Sequence, residues 1–452
     1  MSNQDWTDAA VGGFMNLLSA VNNSPAPGTG INVLVKQAHN LMGPQIPEAL
    51  IQFTISEQIN LFGSYPTSKD VVPSAIFAAV FIILSIGHAA IFTINYSRGH
   101  YFWLSLGWAF YCVMRWIAWI LRITWSKDIT NTEMGIADEV LLVLPSILLI
   151  SGNLILAQRI FTWRHPVGGS RKTFWAVMIA LYVVVCAVIA MTIVASVVPY
   201  LYLISEHAFS AYKKVVEASS ILIILYTLTA MALLSLAYFF KPTEKDENLY
   251  TFQPWWINSF SPLYFVKKGA AAEAADTFMK RNHNHRHAIR VIAATHHHYN
   301  QVEGLSNERG DLKHNYSLAI IVISSVFLFV GAICRAVAVF QGRTDATRGP
   351  VCEPVAMYIC WGLLEVIINV LYLVGRVDLR FYRPDVLPKA VREIVTANQS
   401  VEQSAVHSEA EEEEEEEEEV MTKEKESTVS PLDSAPEHEP STAVQNKEDF
   451  KF

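Results

Sequence analysis

The residues best suited to chemistry are charged or amide side chains inside long apolar runs of the sequence. An ionisable side chain in a membrane-spanning helix costs roughly 2.5 to 3.5 kcal/mol unless it is paired or faces water, so each one marks a candidate site. Guanidinium groups suit an anionic head group, and neighbouring tryptophans suit the apolar part of the same molecule. The candidate ligand-pocket residues are Arg115, Arg122, Asp138, Glu139, Glu217, Arg335, Glu365 and Asn369.

The depths of these residues predict where such a pocket would lie. At 1.5 Å per residue, the charges fall in the outer half or at the midplane of the predicted spans. The expected arrangement is an outward-open polar cavity among spans two, three, six and seven. In it the arginines pair with Glu365 and with the acids of span three, and Glu365 pairs with Arg115 or Arg335. A structural alternative stays open, in which the same ion pairs only fix the orientation of the helices.

Seven apolar runs are long enough to hold these residues in a bilayer. A hydrocarbon core of about 30 Å requires about 20 helical residues. The runs are 71–94, 101–125, 136–161, 174–198, 215–240, 317–340 and 355–374. Because lipid offers the backbone no hydrogen-bond partners, each run must be a helix. The predicted fold is an all-α membrane protein with a seven-transmembrane-helix bundle. The composition, 52% hydrophobic and 17% charged, agrees with a membrane protein, because soluble domains are roughly 25% charged.

Basic side chains in the connections predict the orientation of the chain. One side of the predicted bundle carries about twice as many lysines and arginines as the other, so the N-terminus is expected outside and the C-terminus in the cytosol. Asn22, in Asn22-Asn23-Ser24, is then the glycosylation site exposed outside. The predicted divisions are an extracytoplasmic segment 1–70, spans 71–240, a cytosolic His-rich loop 241–316, spans 317–374, a basic juxtamembrane segment 375–397 and a disordered acidic tail 398–452.

The His-rich loop and the acidic tail are the main cytosolic features. His283 and His287 lie four residues apart, which makes them weak candidates for a metal site. The favoured interpretation is a basic, solvated helix without metal, since no cysteine or close carboxylate completes a site. Residues 401–452 hold 18 of the 43 acidic side chains and cannot bury a core. The loop or the tail could engage a cytosolic protein partner, and no nucleic-acid partner is expected.

Several reaction classes are excluded by missing motifs. None of the predicted spans contains a lysine, so a retinal Schiff base on span seven is impossible. The sequence has no GxSxG, HExxH or GxxxxGK[ST] motif. Its five cysteines form no CxxC pair. We therefore expect no enzyme activity and no cofactor.

A set of short motifs around the first three spans resembles a known family. The motifs are Arg98-Gly99-His100 after span one, Arg115 and Arg122 seven residues apart in span two, and Asn153 with Ala157-Gln158-Arg159-Ile160 at the end of span three. They resemble an uncharacterised fungal family of seven-transmembrane proteins, sometimes labelled loosely as family C-like G-protein-coupled receptors. The layout is similar, with looser motifs, to the fungal lipid-translocating exporter family linked to aminocholesterol resistance. The second resemblance implies lipid or amphiphile handling.

Three functions follow from these observations. The leading hypothesis is an integral protein of the plasma membrane or an endomembrane, such as the vacuole or the endoplasmic reticulum. It would bind membrane lipids or an amphiphilic small molecule through the outward-facing pocket, with translocation as an extension of binding. The alternative is a seven-transmembrane receptor that signals through its cytosolic loop and tail. A structural membrane protein is the third hypothesis.

Overall fold

The computed structural model describes residues 11–13, 15–17, 20–241, 251–252, 256–257, 259–270, 273, 315–382 and 385–386, without the side chains of 166–167, 251–252 and 385–386. His283, His287 and the acidic tail 398–452 lie outside the described residues. The predictions that concern them are therefore not addressed by the structure.

Seven long apolar helices form the protein, as the hydropathy predicted. Two short helices come first, α1 (Ile31–Met42) and α2 (Glu48–Glu57). The spans are α3 (Val71–Ser97), α4 (Trp103–Lys127), α5 (Thr132–Arg164), α6 (Lys172–Leu201), α7 (Glu206–Phe239), α8 (Asn315–Gln341) and α9 (Pro354–Val374). The all-α seven-span fold is confirmed. Residues 251–252 and 385–386 form a two-residue antiparallel pair, β1 and β2.

The fifth span differs from its prediction at one end. Helix α7 begins at Glu206, nine residues before the predicted apolar run, and therefore contains Lys213. The expectation that no span holds a lysine was wrong. The physical reason is that a helix continues through the head-group region, where hydropathy is low but the backbone hydrogen bonds persist.

The helices are packed unevenly. Helices α4 and α5 are the most buried of the seven, and α6 is the least buried. Helix α4 packs between α3 and α5, while α7 packs against α5, α6 and α8. Helix α6 rests mainly on α7 and makes few contacts with α5. This limited packing leaves a space between α5 and α6.

The N-terminal segment covers one end of the bundle, which we call the N-terminal face. The backbone amide of Ala26 donates to the carbonyl of Ile204 at 2.8 Å, before α7. The backbone amide of Asn60 donates to the carbonyl of Arg343 at 2.9 Å, and Arg343 follows the end of α8. Helices α5, α7 and α9 begin at this face. Which side of the membrane it occupies stays a prediction.

The opposite end, the C-terminal face, carries a docked segment, residues 256–257 and 259–270. A guanidinium nitrogen of Arg98 donates to the carbonyl of Val266 at 3.0 Å, and Nε2 of His100 lies 3.0 Å from the carbonyl oxygen of Lys267. Arg376 donates to the carbonyl of Tyr264. The Arg98-Gly99-His100 motif thus attaches the chain that follows α7 to this face.

Candidate functional site

A polar network, which we call the midplane network, lies at the centre of the bundle. Arg115 is the middle residue of α4 and forms an ion pair with Glu365 of α9. Its guanidinium also donates to the carbonyl of Leu142 at 2.7 Å and to Oγ of Ser146 at 2.8 Å. Ser146 donates to the other carboxylate oxygen of Glu365 at 2.6 Å, and Tyr111 donates its hydroxyl to the same carboxylate. Every oxygen of Glu365 therefore has a donor.

The midplane network is buried, and both carboxylate oxygens of Glu365 accept hydrogen bonds, while Nε of Arg115 has no partner. The side chains of Arg115 and Glu365 are 0% and 2% exposed. Asn369 is also buried, and its amide donates to the backbone carbonyl of Glu365 at 2.8 Å. The predicted pairing of Glu365 with one of two arginines is confirmed for Arg115. The network has the geometry of a structural connection between α4, α5 and α9.

A second buried cluster surrounds Arg122 near the N-terminal face. Its guanidinium donates to the backbone carbonyls of Gly63 and Ser64 at 2.7 and 3.0 Å. Asp70 and Asp138 each lie 3.6 Å from a guanidinium nitrogen of Arg122. An arginine thus pairs with an acid of the third span, as predicted. Its additional role is to hold the chain that precedes α3.

A cavity lies elsewhere, between α5, α6, α7 and α8, and we call it the main cavity. Its volume is about 240 Å³. Residues 58–65 precede α3 and form its roof, with side chains from 58–62 and Tyr65 facing the space. Most of the wall is apolar, including Val143, Ile147, Ile189 and Val339. The prediction of a cavity among spans two, three, six and seven was wrong: the midplane network and the Arg122 cluster fill that region with buried side chains, while α6 stands away from α5.

Three charged side chains of this cavity lie at the same depth, and we call them the charged band. Glu139 of α5, Lys213 of α7 and Arg335 of α8 all line the cavity. Each is six or seven residues from the end of its helix at the N-terminal face, a depth of about 10 Å. The charges of Glu139 and Arg335 interact, and Oε1 of Glu139 is buried without a hydrogen-bond partner. The carboxylate of Glu139 thus differs from that of Glu365, both of whose oxygens accept hydrogen bonds.

The lengths of the helices relate the charged band to the bilayer. Helices α5 and α7 have 33 and 34 residues, which corresponds to about 50 Å. A hydrocarbon core of about 30 Å leaves an excess of about 10 Å at each end. On this length argument, the charged band is expected near the boundary between head groups and hydrocarbon. The apolar wall below it is then expected at the depth of the lipid chains.

A small cavity of about 30 Å³ connects the main cavity to the midplane network. Ser146 and Glu365 line it, and Arg335 and Trp361 line both cavities. Trp361 belongs to a π-helical turn of α9, Tyr358–Leu363. Turns of this type are frequent at functional sites. Arg335 and Trp361 thus stand between an open space and a buried ion pair.

Tyr65 closes the main cavity towards the N-terminal segment. It lines the main cavity and also an apolar pocket of about 60 Å³ beside α1 and α2. Burial raises the pKa of Tyr65 well above its ordinary value, and nearby Tyr200, Glu139 and Asp345 act in the same direction. The hydroxyl therefore stays neutral. The roof is also attached to the α8–α9 connection, since Ser64 donates to Asp345 at 2.8 Å.

The predicted pocket residues thus separate into three groups. Glu139 and Arg335 line the main cavity, and Glu365 lines the small one. Glu217 is half-buried on α7 and lines neither cavity. The remaining members are buried: Arg115, Arg122, Asp138 and Asn369.

Sequence reasoning missed Lys213 and the roof. Lys213 precedes the apolar run, and the roof contributes backbone carbonyls that have no sequence signature.

Among the described residues, no group of three or more His, Cys, Asp and Glu side chains is placed to hold a metal ion. Asn22 is half-buried in the N-terminal segment, with its amide 3.4 Å from that of Gln37.

Comparison with known proteins gives one match. Residues 166–382 match the model of a family described as a protein of unknown function, DUF3112. The match includes Lys213, Arg335 and Glu365, and covers a little under half of the chain. No curated protein and no solved structure matches the chain. The chain is therefore a seven-span integral membrane protein with a region similar to DUF3112.

Proposed function

We propose that this protein binds a lipid or another amphiphile in the main cavity. The head group lies at the charged band, and the hydrocarbon chain lies along the apolar wall. One observation carries the proposal: Glu139, Lys213 and Arg335 line a mostly apolar cavity near one end of the helices, where lipid head groups are expected to meet hydrocarbon. Apolar pockets with a few convergent polar groups are the usual form of ligand sites.

The wall of the cavity supports one orientation of the ligand. Val143 and Ile147 follow Glu139 on α5 by one and two helical turns, towards the midplane. Ile189 of α6 is 12 residues from the N-terminal-face end of its helix, a depth of about 18 Å. These side chains suit a chain that points from the charged band to the bilayer centre. That is also the orientation of a lipid in the leaflet next to the N-terminal face.

The size and the surroundings of the cavity favour a membrane ligand with a single chain. A volume of about 240 Å³ is slightly below the range of about 300 to 1,000 Å³ for drug-sized ligands. Helix α6 makes few contacts with α5, so this side of the cavity is its weakest wall. An amphiphile in the bilayer reaches the cavity most directly between these two helices.

A receptor is the second candidate, and the π-helical turn of α9 favours it. Trp361 lies in this turn, lines the main cavity and is followed four residues later by Glu365. A ligand that contacts Trp361 can therefore bias the conformation of α9. Translocation requires a further opening towards the C-terminal face. There, the described side chains Asn153, Ser324 and Tyr372 form a buried hydrogen-bonded group.

Photolabelling tests the binding site. Purified protein in nanodiscs is irradiated with a fatty acid that carries a diazirine near the end of its chain, and labelled peptides are mapped by mass spectrometry. We expect labels at the deep wall, around Val143, Ile147 and Ile189. Arg335→Gln should lower this labelling severalfold, while Glu217→Gln, which alters a carboxylate outside the cavity, should leave it unchanged.

The contrary result is labelling that Arg335→Gln does not change, on lipid-facing residues such as Val177 and Val184, which are 66% and 55% exposed. Liposomes with a fluorescent analogue of the same fatty acid then separate the candidates. Protein-dependent movement between leaflets supports translocation. Binding without movement supports the receptor.

A further inference from the structure

The charges around the main cavity specify the head group further. On the basis of the proposed function, we infer that the amphiphile carries one negative charge on its head group. The inference rests on the number and sign of the ionisable side chains that line the cavity. It names the substrate class as a single-chain monoanion, such as a carboxylate, a sulfate ester or a phosphodiester.

The charge count favours one anion. Of the side chains that the structure places around the cavity, Lys213 and Arg335 are basic and Glu139 is acidic, so the formal net charge is +1 when all three are ionised. An uncompensated charge in an apolar space is costly. One monoanion makes the cavity neutral. A neutral head group leaves the charge uncompensated, a dianion reverses it, and a cation doubles it.

The three side chains also differ in their surroundings, which places the anion. The charges of Arg335 and Glu139 interact. The ammonium of Lys213 packs against Gly342, just beyond the C-terminal end of α8, and a methyl group at Gly342 would lie 2.4 Å from it. The anion is therefore expected at the two basic side chains, Lys213 and Arg335, and away from the carboxylate of Glu139.

The nearby Arg122 cluster does not change this argument. Arg122 is held between Asp70 and Asp138, and none of these three residues lines the main cavity. Their charges are a constant background in any comparison of cavity variants. Differences between such variants therefore report on the charged band alone.

Affinity measurements with four probes of equal chain length test the inference. The probes are decyl sulfonate, decyl phosphate at alkaline pH, decanol and decyltrimethylammonium, below their micellar concentrations. Their charges are close to −1, −2, 0 and +1. Isothermal titration with protein in zwitterionic nanodiscs should rank decyl sulfonate first. Its advantage over decanol should be at least about tenfold, because a close charge pair at intermediate dielectric is worth more than 1.4 kcal/mol.

Two variants shift the expected ranking in opposite directions. Glu139→Gln raises the net charge of the cavity to +2, so decyl phosphate should overtake decyl sulfonate. Lys213→Gln lowers the net charge to zero, so the advantage of decyl sulfonate over decanol should fall to less than about threefold. Glu217→Gln is the matched control, and its ranking should equal that of the wild type.

The outcomes separate this inference from the proposed function. If none of the four probes binds to the wild type, the proposed binding site is wrong. If decanol binds as tightly as decyl sulfonate, or if Glu139→Gln leaves the sulfonate-to-phosphate ratio unchanged, the site stands and the monoanion rule is overturned. Should a variant fail to fold, the wild-type ranking decides alone.

Discussion

Two groups of intramembrane charges in this protein are built from the same residue types and behave differently. In the midplane network, Arg115 and Glu365 are buried, and both carboxylate oxygens accept hydrogen bonds. In the charged band, Glu139 and Arg335 face a cavity, and one oxygen of Glu139 has no hydrogen-bond partner. The comparison separates a carboxylate whose hydrogen bonds the fold supplies from one that, under the proposed function, a ligand-binding cavity leaves incomplete.

This difference shows that the cost of an intramembrane charge does not by itself identify a site. Both groups carry that cost, and both were candidates for the same pocket. What distinguishes them is whether neighbouring donors and acceptors satisfy the charge. Ser146 and Tyr111 satisfy Glu365. Removing a member should therefore destabilise the protein in the midplane network and alter binding in the charged band.

The largest expected loss of stability comes from Glu365→Leu. This change leaves the Arg115 guanidinium buried without its carboxylate, which should cost about 3 to 5 kcal/mol of unfolding free energy. The double variant Glu365→Leu/Arg115→Leu should recover part of the loss, because it removes both charges. Thermal unfolding in detergent measures both.

The matched control is Glu365→Leu/Arg335→Leu. Arg335 does not form the ion pair of Glu365, so its removal should recover nothing. Equal recovery by the two double variants would mean that Glu365 is not specifically paired with Arg115.

A slightly smaller loss is expected for Arg122→Leu. It leaves two carboxylates, Asp70 and Asp138, without their ion-pair partner, and two roof carbonyls without their donor. We expect a loss of about 2 to 4 kcal/mol and faster proteolysis within residues 58–65. Limited proteolysis and thermal unfolding measure the two effects.

Arg348→Ala serves as the comparison for Arg122→Leu. Arg348 also contacts the roof, through Ser64, but its side chain is 39% exposed. Its loss should cost no more than about 1 kcal/mol. If Arg348→Ala and Arg122→Leu increase proteolysis of the roof equally, then the hydrogen bonds from buried Arg122 are not what holds the roof in place.

A third substitution, Gly63→Ala, should cost about 1 to 3 kcal/mol. Gly63 has a φ of +98°, and an added Cβ would lie 2.5 Å from the sulfur of Met357. Gly99 has a similar φ of +85° but nothing within 4 Å. Gly99→Ala should therefore show only the backbone strain and be the milder change. Equal losses of stability for the two variants in thermal unfolding would show that the contact with Met357 does not contribute to the cost.

The sequence predicted the seven-span fold and the ion pair of the midplane network. The bilayer forces every long apolar run into a helix, so seven spans followed from hydropathy alone. Depth predicted that Glu365 pairs with Arg115 or Arg335, and the structure shows the pair with Arg115. Those two predictions depend on position along single helices.

The location of the cavity could not be predicted in the same way. It depends on how far α6 stands from α5, and the spacing of two helices is a property of their packing. Lys213 escaped detection because hydropathy falls before Val215, although the helix continues. The Arg122 clamp uses backbone carbonyls of Gly63 and Ser64, which every residue possesses.

The smallest expected change of stability provides the most direct test of the central claim, that the charged band serves a ligand and the midplane network serves the fold. The double variant Glu139→Gln/Arg335→Gln removes both charges of the open pair, which is nearly neutral when neither partner is stranded. Thermal unfolding with and without decyl sulfonate measures stability and binding together. We expect an unfolding free energy within about 1 kcal/mol of the wild type. The stabilisation by decyl sulfonate should be severalfold weaker, because Lys213 keeps the formal charge of the cavity at +1 but the anion loses its contact with Arg335. A fall as large as that of Glu365→Leu, or undiminished stabilisation by decyl sulfonate, would contradict the account.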